Sequence, residues 1–135
     1  MQGKRGERNE SMTQSEQNSL QAIVNLPELL ARVDYDWELL QEIVDLFMAE
    51  LPRLHEQLKA AVSHGDLSQV EKLAHTLKGM LLNLSIEGGA NAVAAMEMQA
   101  KAENVIAVRE GFKVFESTIQ QLRPSLDAYM AEGRL

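Results

Sequence analysis

Cysteine is absent from the 135 residues, and with it go disulfide frameworks, thiol nucleophiles and thiolate metal sites. A reducing cytosol is the compartment that suits such a composition. Also missing is any apolar run near the ~20 residues that a membrane-crossing helix needs. The opening stretch, MQGKRGERNE, is charged and has no apolar core, so it does not read as a secretory signal. Positive charge is scarce too: 13 Lys and Arg against 20 Asp and Glu leave a formal charge of −7. That balance disfavours the polyanionic partners, nucleic acid and an anionic membrane surface. No run of alternating β-branched residues suggests a strand, and no glycine-rich nucleotide loop is present. What remains is a cytoplasmic, acidic partner-binding protein or small enzyme.

The apolar fraction is 45%, enough for one domain with a core of its own. Residues 1–19 hold hardly any apolar side chain and read as a flexible tail; residues 20–135 read as the domain. There the periodicity is helical and the expected fold class is all-α. A short first helix over 26–33 is announced by Asn25 and Glu28, a capping-box pair, with Pro27 in the first turn. Asp34-Tyr35-Asp36 breaks it. In the second helix Trp37, Leu40, Val44, Phe47, Leu51, Leu54, Leu58 and Ala61 recur in steps of three and four, one stripe facing a core. The stripe passes Pro52 unbroken, so the proline bends the helix without ending it, and His64-Gly65 closes it.

Asp66 and Gln69 cap a third helix with Leu67, Val70, Ala74, Leu77, Leu81 and Leu84 as its stripe and Leu73 at the margin. Glu87-Gly88-Gly89 reads as the next turn, followed by a fourth helix over 89–103, so rich in alanine and methionine that its orientation is illegible. The fifth carries Val108, Phe112, Phe115, Ile119, Leu122, Leu126 and Tyr129, with a possible bend at Pro124. Four long helices with short links make an antiparallel four-helix bundle with a short extra N-terminal helix. Such a bundle can bury its core as a monomer.

One stretch breaks the pattern. AHTLKGMLLNL, at 74–84, sets a histidine, a lysine and a glycine inside an apolar helix, although an interior glycine costs roughly 1 kcal/mol against alanine. At about 100° per residue, His75 points roughly 150° away from the buried stripe. Lys78 and Gly79, three and four residues on, share its exposed face. A neutral imidazole, whose ordinary pKa is about 6.5, offers a ring nitrogen that can attack phosphorus and hold a phosphoryl group. Lys78 can neutralise phosphoryl oxygens, and Gly79 leaves room beside the ring. Leu82 lies on the same face by the wheel, a candidate docking contact for an apolar partner surface.

At these residues the chain resembles the histidine-containing phosphotransfer (HPt) domains of phosphorelays. AHTLKG is similar to the family's signature, and Asn83-Leu84 continues it. DWELLQEIVDLFMAELPRLHEQL at 36–58, HGDLSQVEKLAH with its Gly-Asp turn, and MEMQAKAEN resemble the corresponding parts of the family, so that 20–129 is covered. The resemblance implies a bundle in which His75 accepts a phosphoryl group from an aspartyl phosphate and passes it on, with Lys78 and Gly79 in support. It implies response-regulator receiver domains or a hybrid sensor kinase as partners; Leu82, Lys72 and Glu71 are the candidate docking residues. It also implies no cofactor or metal held by this chain, since Mg²⁺ belongs to the receiver. The chain departs from the family at Met80-Leu81-Leu82, where small or hydroxyl residues are usual, and Leu82 therefore bears on partner choice.

Rival readings are weaker. A sensor kinase needs a nucleotide-binding domain that this sequence lacks. A non-catalytic helical partner-binding module is the alternative, but it has no need of His75, Lys78 and Gly79 together. A hydrolase lacks a convergent nucleophile and base. His64 fits a helix C-terminal cap; His55 flanks the second stripe near the expected height of His75, where it and Gln99 are the candidates to support the ring. The three histidines match no metal-site spacing.

Overall fold

The computed structural model describes residues 20–132, and every regular element among them is a helix. After a helical turn at 20–23 come α1 (Leu26–Arg32), α2 (Trp37–His64), α3 (Leu67–Asn83), α4 (Glu87–Lys101) and α5 (Val105–Glu132). The expected flexible tail, 1–19, lies outside the described residues. Links of two or three residues join α2 to α3, α3 to α4 and α4 to α5, and so short a link turns each helix back alongside its predecessor. The result is an antiparallel four-helix bundle in which α3 packs on α2 and α4, and α5 packs on α4 and closes against α2. The short α1 is tied to the α3–α4 link, where the Asn25 N–H donates to the Ser85 carbonyl at 2.8 Å.

Local chemistry sets the helix ends. The Asn25 side chain accepts from the Glu28 N–H, Asp36 from Leu39 and Asp66 from Gln69, each satisfying a donor that a helix start leaves unpaired. Asp34 and Tyr35 break the chain after α1 by taking left-handed backbone angles. Gly65, at φ +70°, ends α2: its N–H and that of Asp66 return to the Val62 and Ala61 carbonyls, a left-handed closure that glycine makes without a Cβ penalty. His64 Nδ1 bonds the Ala60 carbonyl at 2.8 Å, the capping role expected of it. Both long helices run through their prolines, Pro52 and Pro124.

One boundary differs from the sequence reading. The turn after α3 is made by Leu84, Ser85 and Ile86, with Ser85 at φ +56°, whereas Glu87, Gly88 and Gly89 already form the first turn of α4. Glycine was misleading because Gly89 serves packing: a Cβ there would lie 3.3 to 3.4 Å from the side chains of Ile86 and Leu81. At its other end α4 stops at Lys101 and Glu103 takes φ +58°, after which Asn104 caps α5 by accepting from Ala107.

The predicted stripes become the core. Leu40, Leu51, Leu58, Leu77, Leu81, Phe115 and Leu122 are completely buried, each worth about 1.5–3 kcal/mol of apolar transfer. Trp37 and Tyr129, at the stripe ends, are half-buried and meet with ring centroids 5.8 Å apart. This packing fixes the rotation of α3, and hence what α3 shows to solvent.

Candidate functional site

With Val70, Leu73, Ala74, Leu77 and Leu81 turned into the bundle, His75 is turned out, and its side chain is 69% exposed. The neighbouring α4 supplies what the sequence did not reveal. Glu97 sits at the α3–α4 seam, 8% exposed, and its two oxygens are used separately. Oε2 lies 3.1 Å from His75 Nδ1, and Oε1 accepts from Lys78 Nζ at 3.0 Å. Lys101, one turn further along α4, places Nζ 3.8 Å from the same Oε2 and 3.9 Å from a Glu71 oxygen.

The electrostatics follow from those contacts. The Lys78 hydrogen bond, helped by the lysine charge and by the His75 bond, holds the Glu97 carboxyl below its ordinary value of 4.5, against the opposing effect of burial. Glu97 is therefore ionised at neutral pH and can only accept. In the neutral imidazole the donor is then Nδ1–H, and the lone pair stands on Nε2. The outward nitrogen is the nucleophilic one.

Gly79 lies on the same exposed face, and beyond its two chain neighbours and the backbone of its own helix no atom comes within 4 Å of the position its Cβ would occupy. Nothing in the chain's own packing calls for glycine there. Leu82 is 45% exposed on this face. Lys72 is exposed, its carbonyl accepting from Thr76 Oγ1, and Glu71 is half-buried beside Lys101. Glu71, Lys72, His75, Thr76 and Glu97 together line a shallow hollow.

Two residues considered for support of the ring stand elsewhere. His55 bonds Glu116 of α5 at 2.8 Å and packs against Phe112 and Phe115, so it braces the α2–α5 seam. Gln99 is half-buried on α4, but the α4 side chain that reaches His75 is Glu97, two residues earlier. A carboxylate in the middle of an alanine and methionine helix, with a lysine four residues on, was the available signal. It went unread because α4 has no stripe from which to orient it.

A family model described as Hpt domain matches residues 42–125, from within α2 to within α5, with His75, Lys78, Glu97 and Lys101 all inside the match. The chain belongs to the Hpt domain family, whose members carry phosphoryl groups on histidine in phosphorelays and work with receiver domains or kinases. No curated protein and no solved structure matches it. Among the described residues no helix is long and apolar enough to cross a membrane.

Proposed function

We propose that this chain is a phosphorelay intermediary in which His75 takes a phosphoryl group from the aspartyl phosphate of one receiver domain and gives it to another. The observation that carries the reading is the pairing of an exposed imidazole with the Glu97 carboxylate on Nδ1, 3.1 Å away. Nε2 attacks phosphorus in line, the bond from phosphorus to the aspartyl oxygen breaks, and its electron pair leaves as the receiver's carboxylate. The new N–P bond puts positive charge on the ring. Glu97, hydrogen-bonded to Nδ1–H, stabilises that charge, so no proton has to leave during the step. Transfer to the next receiver is the same sequence reversed.

In this reading Lys78 neutralises the phosphoryl oxygens, Gly79 gives the receiver clearance beside the ring, and Leu82, Lys72 and Glu71 meet the receiver's surface. The receiver brings Mg²⁺. The proposal includes a cytoplasmic setting, as the lack of cysteine suggests, and a single chain as the working unit, since the bundle closes its own core. The test is incubation with a receiver domain carrying labelled aspartyl phosphate. Acid-labile, alkali-stable label should appear on the wild type and not on His75→Gln; equal labelling of the two would refute the assignment of His75.

A further inference from the structure

Lys78 is already committed before any phosphoryl group arrives. It is only 32% exposed, and it gives Glu97 a hydrogen bond at 3.0 Å. To serve phosphoryl oxygens on His75 it must leave Oε1 of a glutamate that is itself 8% exposed. Although His75 still holds Oε2, a carboxylate so enclosed is costly to leave with one oxygen unsatisfied and the lysine charge withdrawn. We propose that Lys101 is a positioning residue of the site, which takes over the Glu97 carboxylate when Lys78 turns to the phosphoryl group. This rests on the phosphocarrier reading of His75 and adds a residue to it.

The geometry suits an exchange. Lys101 Nζ stands 3.8 Å from Glu97 Oε2 and 3.9 Å from Glu71 Oε2, outside hydrogen-bond distance of both and so bound tightly to neither. An advance of under an ångström would bring it within hydrogen-bond distance of Oε2, the oxygen that His75 also uses, so that its charge stands on the carboxylate while Oε1 gives up Lys78. It lies four residues after Glu97 on the same helix, the spacing at which side chains meet along a helix face. At 58% exposure its side chain has room to move. The charge argument agrees: a phosphoryl group on Nε2 adds about two negative charges near pH 7 beside an ionised Glu97, and two lysines serve two anions where one lysine would be contested. Without Lys101, Glu97 and the phosphoryl group compete for Lys78.

The prediction is therefore non-additivity. Labelling His75 with phosphoramidate, a small donor that needs no receiver, gives a rate for the full-length chain and its variants. Lys78→Ala should slow labelling by about tenfold or more. Lys101→Ala should slow it about threefold, the scale of a partly exposed ion pair, and Lys101→Arg should restore it. The double variant should be no slower than Lys78→Ala, because Lys101 acts through Lys78. Thermal melts should leave Lys101→Ala within a degree or two of the wild type. Labelling of Lys101→Ala at the wild-type rate, or a double variant slowed by the product of the two single effects, would overturn the role of Lys101 alone. Failure of the wild type to take label on His75 would instead overturn the phosphocarrier reading beneath it.

Discussion

Gly79 is where the separate demands of fold and function on one residue can be measured. An added Cβ would meet nothing within 4 Å, so Gly79→Ala should stabilise the domain by about 0.5–1 kcal/mol through helix propensity. If the gap is clearance for a receiver, the same variant should label normally from phosphoramidate and slowly from a receiver; chemical denaturation and the two labelling assays read these separately. Glu97 gives a pH signature. Its carboxyl titrates below the ordinary 4.5 in the folded chain, so its contribution to stability is complete above that value and fades as pH falls through the folded pKa. Glu97→Gln should therefore lose stability most at neutral pH, with the gap to the wild type closing below about pH 4.5, as urea melts across that range would show. His75, Lys78 and Gly79 were legible in the sequence because α3 has a sharp stripe that fixes its outer face. Glu97 was not, because it acts across the seam from a helix whose rotation no pattern defines.

That helix is positioned by contacts rather than by amphipathicity. Met96, fully buried, lies so close to α5 that a Cβ on Gly111 would stand 2.8 Å from its Cγ. Gly111→Ala should overpack the α4–α5 seam and cost about 1–3 kcal/mol, measurable as a lowered denaturation midpoint. Because Glu97 follows Met96 directly, labelling of His75 should slow as well, whereas a purely local strain would leave the rate unchanged. The same dependence on contact explains the misplaced start of α4. Gly88 and Gly89 resemble a turn in sequence, yet the turn is made by Ser85 in a left-handed conformation, and Gly89 is small so that Leu81 and Ile86 can approach. Asn25 and Asp66 are legible in the sequence as caps, whereas Asp36 reads there only as part of a helix break and Asn104 gives no sign of its role; α4 starts after Ile86 with no side-chain cap and offers no such mark.

At the scale of the molecule, apolar stripes of steps three and four were enough to yield an antiparallel bundle with His75 on its outside, since burying Leu77 and Leu81 leaves His75 no other direction. The identity of the receiver is not encoded in that way, because it depends on surface shape against a second chain. Leu82, 45% exposed on the His75 face, is the side chain through which the proposed docking can be tested: Leu82→Ser should leave phosphoramidate labelling within about twofold of wild type while weakening transfer from a receiver. Equal transfer by both proteins would remove Leu82 from the interface. The most direct measurement of the central claim is a chase. The chain is labelled on His75, freed of donor, and mixed with unphosphorylated receiver and Mg²⁺. The account predicts that label leaves His75 and appears on the receiver as a hydroxylamine-sensitive aspartyl phosphate, with none released first as inorganic phosphate. Label that stays on His75 with every receiver supplied, or that appears only as free phosphate, would contradict it.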